Sequence, residues 1–298
     1  MHYRTVGRSG LSVSEIGLGC MSLLKASDAE ATAIVHTAVD AGINYFDTAD
    51  LYDKGANEEL IGTLLKPVRS KIVLATKVGN QWKADGSGWD WNPTKDYILK
   101  AVDESLRRLQ TDYIDLYQLH GGTINDPIDE TIEAFEELVQ QGKIRHYGIS
   151  SIRPNVIRAY VEKSNIISVM LQYSLLDRRP EETVLDLLQT HGIGVIVRGA
   201  LAQGLLAGKT PKEYLGHPAS VIQSAADNLK AQATATRTIP SALATQYVLS
   251  NPAVSSVVTG IRTMEQLKEA IAPRPQPDVS WIDELKKSIP ANQYQEHR

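Results

Sequence analysis

The sequence has little cysteine, no surplus of basic charge and no long apolar run, and each shortage narrows the class of protein. Its one cysteine, Cys20, excludes an intrachain disulfide and fits a reducing compartment. No apolar stretch approaches the roughly 18 residues of a membrane span, and residues 1–10 lack the apolar centre of a signal peptide. Lys and Arg total 31 against 35 Asp and Glu, which argues against binding to nucleic acid or an anionic membrane. We therefore expect a cytoplasmic protein with a small-molecule partner and no metal site, a monomer being slightly favoured.

What the chain does have is a steady alternation of short β-rich runs and longer amphipathic ones. Its 298 residues, 42% of them hydrophobic, suit one large barrel with a sizeable core. Eight runs are predicted to be strands: Glu15 to Gly19, Ile43 to Asp47, Ile72 to Lys77, Ile114 to Leu119, Ile144 to Ile149, Val169 to Tyr173, Gly194 to Arg198 and Val254 to Thr259. The alternation continues without a break, so we predict one domain over residues 1–298. We predict an α/β protein with the (β/α)8 TIM barrel fold. An open doubly wound sheet is the alternative.

The connections between these strands are of two kinds. Helical patterns occupy most of them: Asp28 to Ala41, Thr94 to Leu109, Ile128 to Gln141, Pro154 to Lys163, Pro180 to His191 and Pro240 to Leu249. Residues 79–93 after the third strand and 199–239 after the seventh are predicted to be long loops on the face where barrels carry active sites. Near the end, Pro273, Pro275 and Pro277 form a spaced linker before a C-terminal helix that begins near Ser280.

Four polar residues lie at or just beyond predicted strand ends. Asp47 and Lys77 end neighbouring strands, so the carboxylate can pair with an ammonium that is costly to bury alone. Tyr52 follows five residues after Asp47, and a nearby ammonium would stabilise its phenolate enough for it to act as an acid near neutrality. His120 follows the fourth strand and can reach the same substrate oxygen. Each residue alone fits an ordinary salt bridge or packing role, but together they predict proton delivery to a carbonyl.

Longer stretches around these residues resemble a known family. Residues 42–52, continued by 57–62, resemble the first signature of the aldo-keto reductases, and residues 106–120 resemble the second. The likeness runs in order from Arg4 to about Ala272. It implies a (β/α)8 barrel that binds NADPH and reduces aldehydes or ketones to alcohols.

The resemblance also implies roles for the four polar residues. It makes Tyr52 the general acid, Lys77 and Asp47 the pair that tunes it, and His120 the residue that orients the carbonyl. Two other functions stay open. One is a redox-sensing subunit that binds NADPH with little turnover, and the other is a Schiff-base lyase that uses Lys77.

The nicotinamide end of the cofactor is implied in the same way. Ser150 and Ser151 match the place where the family holds the carboxamide, and Gln172 matches a residue that bonds the amide. Tyr173 is expected to stack against the ring, with core packing as the alternative.

The rest of the cofactor is matched by two later segments. Leu201, Gly204 and Lys209 keep the frame that wraps the pyrophosphate, and the segment begins with Arg198 and Gly199 where relatives commonly have Tyr-Ser-Pro-Leu. The additional charge of Arg198 favours a phosphate or a carboxylated substrate, unless it pairs with a neighbouring acid.

The adenosine end follows the eighth strand. Gly260, Arg262, Gln266 and Glu269 match the family's clamp for the 2′-phosphate. Arg262 favours NADPH over NADH, because its planar fork matches a phosphate. A surface arginine is the alternative.

The loop after Lys77 predicts one wall of the substrate pocket. Trp82, Trp89 and Trp91 lie in it, and with Met21 and Leu51 they would form an apolar wall. Such a wall suits a hydrophobic or aromatic carbonyl compound. Packing of the loop on itself is the equal alternative.

Overall fold

Eight parallel strands close into a barrel in a computed structural model that describes residues 1–274, 280–287 and 289–298. The strands are β1 Ile16–Gly19, β2 Tyr45–Asp47, β3 Val73–Val78, β4 Ile114–Leu119, β5 Ile144–Ser150, β6 Ser168–Gln172, β7 Gly194–Arg198 and β8 Val254–Gly260. Each pairs with the next in sequence, and β8 pairs with β1. The predicted (β/α)8 barrel is confirmed, and the open doubly wound sheet was wrong.

Ten α-helices surround the barrel or cover its ends within the described residues. They are α1 Asp28–Asp40, α2 Ala56–Leu65, α3 Lys95–Leu109, α4 Ile128–Gln140, α5 Pro154–Lys163, α6 Val184–Thr190, α7 Ala219–Ala235, α8 Pro240–Leu249, α9 Met264–Ala270 and α10 Ser280–Lys287. Local sequence explains several of their starts: Ser27 and Glu30 form a capping box at α1, and Pro154 and Pro240 open α5 and α8. None of these helices has the length and apolar character needed to cross a bilayer.

The barrel interior is filled at its amino-terminal end. A hairpin of Tyr3–Thr5 with Ser12–Ser14 lies there, and Val6 and Val13 join the interior cluster. The strands contribute the rest of that cluster: Tyr45, Val73, Ala75, Leu116, Met170, Ile196 and Val258. Because these side chains fill the lower part of the barrel, open space is left at the carboxyl-terminal mouth.

The two long connections contain more regular structure than the sequence predicted. After β3, Asn80–Trp82 and Trp89–Trp91 pair as a short antiparallel hairpin. After β7, the segment predicted as a loop contains a turn of 3-10 helix at Ala202–Ala207 and the 17-residue helix α7. A stripe of small and aliphatic residues packs α7 inward: Ile222, Ala225, Leu229 and Ala233.

The predicted C-terminal helix is present as α10, and Trp281, Ile282 and Leu285 are buried. Pro275 and Pro277 of the predicted linker lie outside the described residues. The structure therefore supports the helix and gives no test of the linker.

Candidate active site

A cavity of about 570 Å3 opens at the carboxyl-terminal mouth and is lined by the four polar residues at the strand ends. Asp47 ends β2, Lys77 is the second-last residue of β3, and His120 follows β4 directly. Tyr52 lies in the segment after β2 and lines the same cavity. Parallel strands deliver their carboxyl ends to one rim, so the structure brings the four side chains to one site.

Lys77 carries a deeply buried charge, since its side chain is 1% exposed. Its Nζ donates to Asp47 Oδ1 at 2.5 Å and to the Thr48 carbonyl oxygen at 2.7 Å. Burial, the largest single influence, would lower the pKa of Lys77, but the charges of Asp47 and Tyr52 and the hydrogen bonds to both together outweigh it, and the pKa is raised. Burial also raises the pKa of Asp47, against the pull of the Lys77 charge. The pair places a protonated amine at the floor of the cavity.

Two aromatic rings lie above this amine. The Lys77 Nζ is 5.3 Å from the centroid of the Tyr52 ring, and the rings of Tyr52 and His120 meet edge to face at 5.9 Å. Burial, Lys77 and Arg198 together lower the pKa of His120 to about 3. His120 is therefore a neutral imidazole near pH 7, with one N–H to donate.

The sequence interpretation missed three residues that hold this site in place. Gln118 Nε2 donates to Asp47 Oδ2 at 3.3 Å. The sequence could have indicated this residue, because it lies two positions before His120 and side chains two apart along a strand point to the same face. Thr48 Oγ1 donates to Asn57 Oδ1 at 2.6 Å, and Asn57 Nδ2 donates to the carbonyl oxygen after β1 at 2.8 Å. Buried Asn57 thus ties the ends of β1 and β2 to α2.

A second cavity of about 420 Å3 adjoins the first, because Gly199, Val258 and Gly260 line both. Most of the predicted cofactor residues line this continuous cleft: Ser150, Ser151, Arg198, Gly199 and Gly260 the first part, and Leu201, Gly204, Lys209, Gly260, Gln266 and Glu269 the second. The cleft holds Tyr52 in its first part and a cation, Lys209, in its second. These features fit an extended dinucleotide with a pyrophosphate in its middle.

Two predicted nicotinamide residues lie outside the cavity lining. Gln172 has both ends of its amide engaged: Nε2 donates to Asp177 Oδ2 at 2.8 Å, and Oε1 accepts from Arg198 Nη1 at 3.0 Å. Tyr173 is 2% exposed and donates its phenol to Glu181 Oε1 at 2.8 Å. Tyr173 lines neither cavity, and its stacking against the nicotinamide ring stays a prediction. The alternative of core packing describes its surroundings.

Arg262 follows β8 on the exposed surface just before α9. Its backbone N–H donates to Gln266 Oε1 at 2.9 Å, while Thr263 Oγ1 caps α9 by accepting from the Gln266 N–H. Arg262 does not line the cleft, but its neighbours Gly260 and Gln266 do. It is placed beside the distal end of the cleft.

The predicted apolar wall is only partly present. Met21 and Leu51 line the cavity, whereas the three tryptophans do not. Trp82 Nε1 donates to the Leu51 carbonyl oxygen at 3.3 Å, and Trp91 Nε1 donates to Asp126 Oδ2 at 3.0 Å. Trp89 is 49% exposed. Packing of the hairpin describes Trp82 and Trp91 better than contact with a ligand.

Comparison with protein-family models adds the decisive observation: the model described as the Aldo/keto reductase family matches residues 15–286. The chain belongs to this family. It is therefore an oxidoreductase of the class that acts on carbonyl groups. The uncharacterized oxidoreductase YqkF of Bacillus subtilis is 52% identical over 280 residues, covering 91% of this chain and 90% of its own. An L-galactose dehydrogenase of Arabidopsis thaliana is 33% identical, with 90% and 86% covered.

Solved structures of a relative agree with this assignment. The holo form of the aldo-keto reductase AKR11C1 from Bacillus halodurans is 48% identical and superposes with a TM-score of 0.93, covering 100% of this chain and 99% of its own. Its apo form is 47% identical over the same shares and gives a TM-score of 0.85. The backbone of this member of the family is thus nearer to the holo form of that relative than to the apo form.

Proposed function

We propose that this aldo-keto reductase reduces aldehydes or ketones to alcohols with NADPH as cofactor. The observation that carries the proposal is the buried Lys77 ammonium, which is paired with Asp47 and lies 5.3 Å from the Tyr52 ring at the closed end of a dinucleotide-sized cleft. A single face of the barrel thus brings a phenol and a buried ammonium to one end of a cleft lined by most of the predicted cofactor residues.

Each residue of the site has a defined task in this reaction. Bound NADPH supplies the hydride that the carbonyl carbon accepts. Tyr52 gives its proton to the carbonyl oxygen, and the adjacent Lys77 charge stabilises the phenolate that is left. His120 stays neutral and donates its one N–H toward the same oxygen, which fixes the direction of the carbonyl.

Residues of the cleft would hold the cofactor. Ser150 and Ser151 carry hydroxyls at the nicotinamide end, and Lys209 brings a cation to the middle. Arg262 lies beside the distal end, where its guanidinium suits the 2′-phosphate that distinguishes NADPH from NADH. The closer backbone likeness to a holo relative supports a cofactor in this cleft.

The alternative of a Schiff-base lyase asks Lys77 to act as a neutral nucleophile. Its amine instead donates to Asp47 and to the Thr48 carbonyl oxygen, and its pKa is raised. An ammonium held in this way has no free electron pair to attack a carbonyl. The geometry favours an electrostatic role for Lys77.

The test is to incubate the protein with aldehydes and ketones and NADPH carrying deuterium at both C4 positions. We expect alcohols with one deuterium on the former carbonyl carbon. Tight NADPH binding without product from any substrate would favour the sensor function instead. Irreversible labelling of Lys77 by a carbonyl compound and borohydride would favour the lyase.

A further inference from the structure

Two arginines line the catalytic cavity without an acidic partner. Arg153 Nη1 donates to the Gly122 carbonyl oxygen, and Arg198 Nη1 donates to Gln172 Oε1 at 3.0 Å. Among the residues that the structure describes, neither guanidinium forms a salt bridge. Within the part of the chain that the structure describes, the other N–H groups of these two forks have no hydrogen-bond partner and can donate to a ligand.

The charge of the cavity is correspondingly unbalanced. Its lining contains one acidic residue, Asp47, and three cations, Lys77, Arg153 and Arg198. Asp47 is already paired with Lys77 at 2.5 Å. The two arginines thus leave a net positive wall, and both line the same cavity as His120. The Arg198 charge accordingly contributes to the lowered pKa of His120.

The opposite wall of the same cavity is apolar. Met21 and Leu51 line it on the β1 and β2 side, whereas the arginines follow β5 and end β7. Neither arginine lines the second cavity, in which Lys209 lies. The cationic wall therefore lies in the cavity that holds the four catalytic side chains rather than in the distal part of the cofactor cleft.

We propose that Arg153 and Arg198 form an oxyanion-binding subsite, and that the preferred substrates are aldehydes or ketones with an apolar body and a carboxylate or phosphate group. This proposal rests on the reductase function and names its substrate class. Two guanidinium forks match either oxyanion by paired N–H donors. An anion there also relieves the repulsion between the arginines and the buried ammonium.

The experiment compares matched substrates with NADPH: 3- and 4-carboxybenzaldehyde, their methyl esters, and 4-formylphenyl phosphate. The ester group withdraws electrons more strongly than the carboxylate, so intrinsic reactivity favours the esters. We expect kcat/KM for at least one carboxylate or the phosphate to exceed that of the neutral esters by about tenfold or more. The better of the two anions identifies the oxyanion.

Variants then assign this preference to the two residues. Arg153→Gln and Arg198→Gln should each lower the ratio of anionic to neutral kcat/KM about tenfold or more. Arg107→Gln removes an equal charge from an exposed position on α3 and should leave the ratio unchanged. A wild-type ratio at or below one, or a ratio that neither arginine variant lowers, would overturn the subsite.

A binding measurement separates this proposal from the proposed function. Titration calorimetry of terephthalate into the protein with NADP+ should show binding that weakens about tenfold in each arginine variant. Turnover of the esters with no anion preference and no such binding would remove the subsite and keep the reductase. Absence of all turnover would remove the reductase, and equal terephthalate binding by wild type and variants would remove the subsite.

Discussion

Lys77 keeps its charge although it lies at the bottom of a protein cavity. Burying an unpaired ammonium costs several kcal/mol, and Asp47 with the Thr48 carbonyl oxygen offsets that cost through short hydrogen bonds. Gln118 in turn holds Asp47. The residues with the clearest chemistry are therefore also those that depend most on their neighbours for placement.

The lowered pKa of His120 can be tested through the pH dependence of the reaction. Its ordinary pKa of 6.5 is lowered to about 3, so the neutral form persists at every pH above that value. We expect kcat/KM for a neutral aldehyde to show no acid-side loss near pH 6.5 between pH 5 and 8. A loss centred near pH 6.5 in the wild type that is absent from His120→Gln would contradict this prediction.

Asp50 is a buried carboxyl group whose ionisation affects the stability of the fold. It is 7% exposed, its Oδ1 has no hydrogen-bond partner among the described residues, and burial together with the Glu58 charge raises its pKa to about 8. Because the folded state holds this proton more tightly than the unfolded chain, Asp50 lowers stability progressively as pH rises from about 4 to 8.

Asp50→Asn should therefore stabilise the protein more at pH 8.5 than at pH 5, by at least about 1 kcal/mol in the difference. Urea unfolding at the two pH values measures it. Equal effects at both values would show that the carboxyl group ionises freely in the folded state.

We expect Arg262 to give the protein its preference for NADPH over NADH. An exposed guanidinium that bonds a phosphate contributes roughly tenfold or more to affinity through charge-assisted hydrogen bonds. Arg262→Ala should weaken NADPH binding by about that factor and leave NADH binding nearly unchanged, as measured by cofactor fluorescence. An equal loss for both cofactors would place Arg262 away from the 2′-phosphate.

Among single residues, those at strand ends were the easiest to predict from the sequence. Asp47 and Lys77 follow apolar runs, and a barrel necessarily brings such positions to one rim. The surroundings of a side chain beyond the strand were harder to predict, as Tyr173 shows, because its phenol donates to half-buried Glu181. No sequence pattern indicated a functional role for Arg153, because its proposed role depends on a cavity that forms only when the barrel closes.

At the scale of elements, the hairpin after β3 and helix α7 differ in how clearly the sequence indicated them. The hairpin's tryptophans were noted, but the packing of Trp91 depends on its close approach to Gly79 and Gly121, which are distant in sequence from one another. Helix α7 was predicted as loop because its buried stripe uses alanines between single aliphatic residues. A stripe of small residues gives a weak periodic signal, although it packs well.

Gly79 tests whether the hairpin is fixed by packing. Its φ is +122°, and a Cβ there would lie 2.6 Å from the Trp91 ring. Gly79→Ala should lower the free energy of unfolding by about 1–3 kcal/mol. Gly88→Ala, in the same hairpin connection with no atom within 4 Å of its Cβ, is the matched control and should change stability little. Equal thermal unfolding temperatures for the two variants would show that the hairpin can shift to accommodate the added methyl group.

At the scale of the whole molecule, the barrel separates stability from chemistry. The interior cluster and the amino-terminal hairpin fill one end, so the other end is free to carry the ion pair, the phenol and the cleft. The fold was predictable because eight strand runs recur at steady intervals, and consecutive parallel strands need helical crossovers. The continuity of the two cavities was not, since it results from Gly199, which follows β7, lying near Val258 and Gly260 of β8.

The most direct test of the account is NADPH absorbance decay with a panel of aldehydes, run side by side for wild type and Tyr52→Phe. The variant removes one hydroxyl and keeps the ring that packs on Lys77 and His120. We predict turnover by the wild type, a loss of about 10²–10⁴-fold in the variant, and unchanged NADPH binding in both. Retained turnover in Tyr52→Phe would contradict the proposed proton donor, and absence of wild-type turnover with every aldehyde would contradict the reductase function itself.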